Sequence, residues 1–543
     1  VSITGLVLMP GVDENGERWH MSFFHAYYFV NFMATTIGFG EIPHPFTEAQ
    51  RIWVSACILL TVVSWLYAIG RILSLIQDPA FARAVTEARF IRAANAIKVP
   101  YYIVCGYGET GSLLVRALAR RNIQCVVLDS NTERLNALSL ENLGMDIPAM
   151  AADASETRHL EEAGLRRKQC LGVVTVTDSD DVNIRVALTA KLLHPSLTVI
   201  SRCATQETAQ NLASFGTDHI ISPHEVFGEH FTMTLHNPSL HLLHAWLISL
   251  PGKRLQGPVK PPRGEWVICG YGRFGKTLQQ CLHAANCTTR VIEHRPDFMP
   301  EGAVKGRGHE LQPLREAGVA TAQGIVAGLD RDTNTLSAVM TARALNPRLY
   351  VVARQFRRAS SQIFDAAGVD LVMEPSRLIV WRILPLITRP LLSHFLRLLR
   401  AHSEEFGDSV LDKIRACCGE LTPDSWSVCL DPEHAPAVCT ALSAGCRVSL
   451  GDLLRDPRQR RRKNPGMVLL HQRGSTDLLI PAADIELQTG DSILFCGPPS
   501  TRKSMEWTLN SRKMLEYVRT GKQMPDGHLW RWLSQRWKSS RNR

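Results

Sequence analysis

Charge is scarce in this chain. Only 21% of its 543 residues are Asp, Glu, Lys or Arg, against 45% hydrophobic, which excludes an intrinsically disordered protein. Paired cysteines are also missing. Fourteen cysteines are present, none at C-x2-C spacing, and they sit in apolar stretches such as Val104-Cys105-Gly106, so a zinc ribbon or disulfide scaffold is excluded and reduced thiols in a cytosolic body are expected. Long apolar runs are nearly absent: a mean hydropathy of −0.05 excludes a polytopic membrane protein, and most of the chain must fold in water. A global basic excess is lacking too. The 61 Lys+Arg outnumber the 51 Asp+Glu by ten, but residues 501–543, with 11 basic and three acidic side chains, supply eight of those ten charges. The rest is nearly neutral, which argues against nucleic acid as a partner. Trp530, Trp532 and Trp537 in this basic tail could lie on anionic membrane lipid or stay solvated.

One long apolar run is present. Residues 52–70 carry no charge and are bracketed by Arg51 and Arg71, enough to cross a hydrocarbon core of roughly 30 Å. Residues 1–50 hold Arg18 and five acids (Asp13, Glu14, Glu17, Glu41, Glu48), whereas 71–98 hold Arg71, Arg83, Arg89, Arg92 and Lys98. The positive-inside rule therefore places everything after about residue 71 in the cytoplasm. Ahead of the span, Phe23 to Ala34 is aromatic and apolar but too short to cross, as a re-entrant helix would be, and it runs into Thr35-Thr36-Ile37-Gly38-Phe39-Gly40-Glu41. This heptad resembles the selectivity filter of potassium channels, T-V-G-Y-G followed by Asp, from which it departs at Ile37, Phe39 and Glu41. In such filters backbone carbonyls replace the hydration shell of the ion. The resemblance implies K⁺ held by the carbonyls of Thr36, Ile37, Gly38 and Phe39, with Gly38 and Gly40 supplying backbone angles that a Cβ would resist. Val1 to Met9 reads as the outer end of a first transmembrane helix, followed by a polar turret from Gly11 to Arg18.

From Tyr101 onward strands alternate with helices, and the chain repeats itself. Gly106-Tyr107-Gly108-Glu109-Thr110-Gly111 returns 164 positions later as Gly270-Tyr271-Gly272-Arg273-Phe274-Gly275. Each copy follows an apolar strand, opens a helix and precedes an acid 18 residues past its third glycine, Asp129 and Glu293 respectively. This is the dinucleotide-binding Rossmann context: glycines let the backbone approach a pyrophosphate at the helix N-terminus, and the acid accepts hydrogen bonds from ribose hydroxyls. Later landmarks repeat at an offset of 152, namely Asp178 and Asp330, Arg202 and Arg354, Pro223 and Pro375. Aligning Glu162-Ala163-Gly164-Leu165 with Glu316-Ala317-Gly318-Val319 sets Asp153 opposite Arg307. An acid has become a base, so the two sites are expected to differ in ligand preference.

Together these features resemble RCK (regulator of K⁺ conductance) domains, also called Trk-type regulatory N-domains, attached to a two-helix potassium channel pore. Leu487 to Gly497 looks like the closing strand of the Trk-type C-terminal domain. The resemblance implies a membrane pore of α-helices followed by α/β, two Rossmann-like domains and a small α+β C-terminal subdomain. It also implies a homotetramer whose eight RCK domains form a gating ring in a prokaryotic plasma membrane. Asp153 resembles the Asp of the family's G-D-A motif beside the adenosine. Expected ligands are NAD(H) in the first domain, NAD(H) or an adenine nucleotide in the second, and K⁺ in the filter. Asp178, Asp180 and Asp181 form an acidic turn that could take Ca²⁺ or simply face solvent, and His236, His241 and His244 lack the carboxylate or thiolate partner a metal site would want. No dehydrogenase constellation is recognisable, so the chain is read as no enzyme and the nucleotide as a ligand. The expected organisation is outer-helix end and turret at 1–20, pore helix, filter and inner helix at 21–78, helical linker at 79–99, first RCK domain at 100–230, connector at 231–265, second RCK domain at 266–390, C-terminal subdomain at 391–500 and basic tail at 501–543. The competing readings are a membrane-anchored nucleotide-binding regulatory subunit of a potassium transporter and a tethered oxidoreductase.

Overall fold

The computed structural model describes residues 1–35, 37–38, 40, 44–248, 251–252, 254, 260–399 and 401–522. The chain divides into two compact units, residues 1–96 and residues 97–543.

In the first unit the helix Ser2–Leu8 leads into an antiparallel hairpin of Pro10–Val12 and Arg18–His20. The turret residues Gly11 to Arg18 are thus partly strand, and the Asp13 carboxylate closes the turn by accepting from the amides of Asn15 and Glu17 at 2.9 and 2.8 Å. The helix Phe23–Ala34 starts at Ser22, whose hydroxyl accepts from the His25 amide. The long helix Glu48–Gln77 starts with a reciprocal capping box between Thr47 and Gln50. It is 30 residues long with a mean hydropathy of 2.1 over its most apolar window, and it extends the expected span of 52–70 at both ends. Gly5 lets the first helix close onto it, because a Cβ there would strike the Trp53 indole. Leu6, Met21, Phe29, Phe32 and Val54 form a small core, while Leu59, Leu60, Leu66 and Tyr67 are each more than 60% exposed, a stripe that demands lipid or a partner helix. Asp78 breaks the helix in an extended conformation and Pro79 restarts it as Pro79–Ala96, since a proline tolerates only a first turn.

The second unit holds two six-stranded parallel sheets of identical order. In the first, the order is Ala149–Ala151, Gln124–Asp129, Tyr101–Cys105, Cys170–Thr175, Thr198–Arg202, His219–Ile221; in the second it is Val304–Lys305, Thr288–Glu293, Glu265–Cys269, Gly324–Ala327, Tyr350–Arg354, Leu371–Met373. This 3-2-1-4-5-6 order is that of the Rossmann fold, with a crevice at the C-terminal ends of strands one and four. Ile103, Val104 and Cys105, like Val267, Ile268 and Cys269, are fully buried, as central parallel strands covered on both faces must be.

The repeats exchange helices. Pro223–His236 of the first packs on Arg273–Ala284 of the second, and Pro375–Thr388 packs on Glu109–Ala119. One apolar core therefore joins Leu114 and Leu118 to Ile379 and Ile383, and Phe231 to Trp266 and Phe274. The expected domain edges shift accordingly. Residue 230 falls inside the helix Pro223–His236, and the connector 231–265 contributes the helix Pro238–Ile248. Leu240, Leu243 and Trp246 of that helix share a core with Phe395, Ile414 and Leu470. The C-terminal subdomain is a four-stranded antiparallel sheet, Asp424–Cys429, Ser492–Gly497, Met467–Arg473, Thr476–Leu479 in spatial order. It continues through Pro499–Asn510 and Arg512–Thr520, whose Met505, Leu509 and Leu515 are core residues. The start of the expected basic tail is thus folded structure, because apolar residues recur at helical spacing between the charges. Residues 523–543, with Trp530, Trp532 and Trp537, lie outside the described residues.

Candidate functional site

Each glycine-rich loop is built the same way. Gly106 and Gly270 have φ of +102° and +90°, angles that favour glycine. A Cβ on Gly111 would strike the Gly106 carbonyl, and one on Gly275 the Gly270 carbonyl, so the third glycine fixes how closely helix meets strand. The middle glycine is different. A Cβ on Gly108 would meet nothing nearer than the Arg134 guanidinium at 3.6 Å, and one on Gly272 only Arg295 at 4.0 Å. Gly108 and Gly272 are the N-caps of Glu109–Ala119 and Arg273–Ala284, with no side chain bonded to either helix start. Open space over an uncapped helix N-terminus fits a pyrophosphate.

Around the first loop is a cavity of about 250 Å³ lined by Gly106, Gly108, Asp129, Arg134, Asp153 and Asp178 among others. Asp129 is buried, and its two oxygens each accept one backbone amide, from Tyr107 at 2.5 Å and from Asn131 at 2.7 Å. Acceptor capacity remains on both oxygens for a ribose diol. Arg134 approaches Asp129 at 3.6 Å. Asp153 accepts from the Ser155 amide at 2.8 Å, and hydrogen bonding from Ser155 holds its carboxyl below the usual range. Asn183, fully buried, clamps the facing loop by accepting from the Thr177 amide and donating to the Thr177 and Arg202 carbonyls.

The second cavity, about 310 Å³, is lined by His294, Arg307, Gly308, His309, Leu329, Asp330, Arg331 and Asn334. Here the acid is already occupied. Glu293 accepts from the Tyr271 amide at 2.7 Å, from the His294 and Arg295 amides at 2.9 and 3.0 Å, and from the Arg295 side chain at 3.2 Å. Burial pushes its carboxyl up, but the Arg295 side chain and these amides outweigh that and draw it down to about 2. Asp330 is held low by a hydrogen bond from Asn334 at 2.9 Å. Glu293, behind the lining, and Asp330, the one acid on it, are thus both paired while Arg307 and Arg331 stay exposed on the wall, giving a cationic cavity where the first is acidic.

Arg134, Arg295 and Asn183 were not singled out by the sequence reading, though the first two lie within a helical turn or so of the strand-end acid. Glu109, Thr110, Arg273 and Phe274 sit at the helix starts as expected, and the last three serve the contact between repeats. The Thr110 hydroxyl donates to Ser376 at 3.1 Å, Arg273 donates to the Ala204 carbonyl at 2.7 Å, and Phe274 packs on Phe227. The acidic turn does not converge. Asp178 pairs with Arg202, Asp180 accepts from the Ala204 amide and Asp181 pairs with Arg185. Among the described residues no group of three or more His, Cys, Asp or Glu could hold a metal ion, so of the two readings of this turn the solvent-facing one fits the geometry.

In the filter segment Thr36, Phe39 and Glu41 lie outside the described residues. Thr35 closes the helix Phe23–Ala34, and the Ile37 amide donates to the Phe32 carbonyl at 3.1 Å. Gly38 and Gly40 have φ of +66° and +74°.

Comparison with known proteins accords with this division. The TrkA-N domain family matches residues 102–223 and 266–375, and the Ion channel family matches residues 1–78. Potassium channel protein 1 of Methanocaldococcus jannaschii is 26% identical over 224 residues, 41% of this chain and 65% of that protein. Probable potassium channel protein 2 of the same organism is 26% identical over 211 residues, 38% of this chain and 59% of its own length. A protein of Methanothermus fervidus is 28% identical over 218 residues, 40% of this chain and 33% of that protein. The chain thus spans less than two thirds of these relatives. Among solved structures, the GsuK channel bound to NAD is 15% identical, with 91% of this chain and 94% of that one covered at a TM-score of 0.49. By the family models and its own fold, the chain is similar to the Ion channel family over residues 1–78, where Glu48–Gln77 is long and apolar enough to cross a membrane, and to the TrkA-N domain family over residues 102–223 and 266–375.

Proposed function

We propose that the chain is the subunit of a potassium-selective channel, no enzyme, whose opening is set by nucleotides bound to its two Rossmann repeats. The observation that carries this is the pair of left-handed glycines, Gly38 and Gly40, in a Thr-Thr-Ile-Gly-Phe-Gly segment between a short aromatic helix and a 30-residue apolar one. Left-handed angles two residues apart let carbonyls turn to the same side, which an ion-stripping row of oxygens requires. In this reading K⁺ is held by the carbonyls of Thr36, Ile37, Gly38 and Phe39, and four subunits surround the pore and contribute eight repeats to a ring. Residues after about 71 lie in the cytoplasm of a prokaryotic cell. The exposed stripe of Leu59, Leu60, Leu66 and Tyr67 then faces lipid or neighbouring subunits.

The first repeat takes NAD(H): Asp129 keeps acceptors for the ribose diol and would repel a 2′-phosphate. The second takes an adenine nucleotide or NAD(H), with Arg307 and Arg331 facing phosphate. The helix Pro79–Ala96 continues the sequence from the inner helix toward the first repeat, and a ligand shifts such a gate only through differential affinity for its open and closed states. The test is the full-length protein in planar bilayers. Potassium current strongly preferred over sodium, abolished by Gly38→Ala, is expected. Equal currents overturn the selectivity, and no current with nucleotide sites filled and emptied supports a regulatory subunit instead.

A further inference from the structure

A carboxylate offers roughly four lone-pair positions to donors, and the two strand-end acids differ in how many they have left. Asp129 lines the first cavity and has given two, to the amides of Tyr107 and Asn131. Glu293 lies behind the lining of the second cavity and meets five donors. The His294 and Arg295 amides and the Arg295 Nε donate to Oε1, while the Tyr271 amide and a terminal Arg295 nitrogen, at 3.3 Å, donate to Oε2. The Phe298 ring holds the Arg295 guanidinium in place, its centroid 4.5 Å away. Glu293 therefore has no acceptor to spare for a ribose hydroxyl.

What the second cavity presents instead is positive charge. Arg307 and Arg331 stand on its wall with His294 and His309, and among the described residues neither guanidinium makes a hydrogen bond or a salt bridge. The one acid on the wall, Asp330, takes its hydrogen bond from Asn334, and Arg331 adds to keeping it ionised. The offset of 152 that relates Asp178 to Asp330 also sets Ser179 opposite Arg331. The Ser179 hydroxyl caps the helix Asp180–Leu193 by accepting from the Val182 amide at 3.4 Å, whereas the helix Asp332–Leu345 begins at Arg331 with no side chain bonded to its start. A cap has been exchanged for a cation, and the positive end of the helix stays uncapped beside it.

A ribose diol set against a saturated carboxylate gains no hydrogen bond, while a phosphate gains charge-assisted bonds from both arginines. Resting on the reading of the repeats as nucleotide sites, we propose that the second cavity recognises di- and triphosphates by their phosphates alone and is blind to the ribose hydroxyls. Its ligands are nucleoside polyphosphates and inorganic pyrophosphate alike, whereas the first cavity requires the diol. The first repeat then answers to one dinucleotide and the second to any such polyphosphate.

The test is calorimetry on the full chain carrying Gly108→Asp, which closes the first site, with ADP, 2′,3′-dideoxy-ADP, pyrophosphate and adenosine as probes. The two nucleotides should bind within about twofold of each other, pyrophosphate should displace them, and adenosine, which has the diol but no phosphate, should not bind. Arg307→Gln should weaken all three anions by about tenfold or more. Arg295→Ala, which releases Glu293, should make ADP bind severalfold tighter than its dideoxy analogue, a gain that a merely loosened pocket does not produce. Should Gly108→Asp fail to fold, the unmodified chain decides: dideoxy-ADP should give one binding event where ADP gives two. A second-site preference of about tenfold or more for ADP over dideoxy-ADP, binding of adenosine, or any other number of dideoxy-ADP events overturns the proposal. ADP still bound in those cases leaves the repeats standing as nucleotide sites, whereas silence from every phosphate probe on the unmodified chain overturns both.

Discussion

The two Rossmann repeats share strand order, glycine loop and strand-end acid, yet their pockets carry opposite charge. In the first, Asp129 spends one lone pair per oxygen on the backbone and faces Asp153 and Asp178 across the cavity. In the second, Glu293 is saturated by Arg295 and two further amides, and Arg307 replaces the acid opposite. Identical backbones thus hold different chemistry. What a Rossmann loop binds is decided by side chains a few residues past the motif, because the glycines set only the approach of the phosphates.

The largest expected effect separates the glycines by job. Gly111→Ala and Gly275→Ala should each destabilise the protein by ~3 kcal/mol or more, since the new Cβ must displace backbone. Gly108→Ala and Gly272→Ala should cost under about 1 kcal/mol, because the same atom meets open space. Chemical denaturation of the four variants checks this, and equal losses in all four would erase the distinction between packing and cradle glycines.

Next in size is the Glu293 network. With its carboxyl drawn down to about 2 from an ordinary 4.5, its contribution is fully present above pH 4.5 and is lost as pH falls toward 2. Glu293→Gln should cost ~2 kcal/mol at pH 7 and flatten the stability profile below pH 4.5. A variant that keeps the slope of the unmodified protein places the acid sensitivity elsewhere.

Exchanging the opposed charges sharpens the comparison further. Asp153→Arg should raise the preference of the first site for more highly phosphorylated nucleotides by about tenfold, a ~1.4 kcal/mol change, and Arg307→Asp should lower that of the second by a similar factor. Calorimetry with NAD(H) and NADP(H) reads both. The smallest effect is expected at Asn183→Ala, where the loop over the first pocket loses its clamp and NAD(H) affinity falls severalfold through a less ordered wall.

The sequence made some of this plain. The 164-residue offset of the glycine motifs and the acids 18 residues beyond them are periodic, local signals, and the sheets follow from them. The opposition of Asp153 and Arg307 was equally visible once the repeats were aligned. The occupancy of the acids was not. That Arg295 saturates Glu293 while Arg134 stays 3.6 Å from Asp129 depends on side-chain reach that no spacing encodes. Nor was the exchange of helices between repeats. Residues 231–265, with Pro238 among them, read as a connector, whereas the helix Pro238–Ile248 is buried through Leu240, Leu243 and Trp246 against Phe395, Ile414 and Leu470 far along the chain. A proline at a helix start looks the same as one in a linker until its tertiary partner is known. The folded region beyond residue 500 was hidden for a related reason: its charges face water while Met505, Leu509 and Leu515 face the core, and net charge reports only the first.

The central claim, that two chemically distinct pockets separately set the opening of one potassium pore, is met most directly by single-channel recording of Gly108→Asp and Gly272→Asp. Each places a carboxylate where pyrophosphate would approach, in space the fold leaves open. The account predicts that Gly108→Asp removes the response of open probability to NAD(H) but keeps that to the nucleotide of the second site, and that Gly272→Asp does the reverse. If both variants respond to nucleotides like the unmodified channel, the pockets do not govern the pore and the account is contradicted.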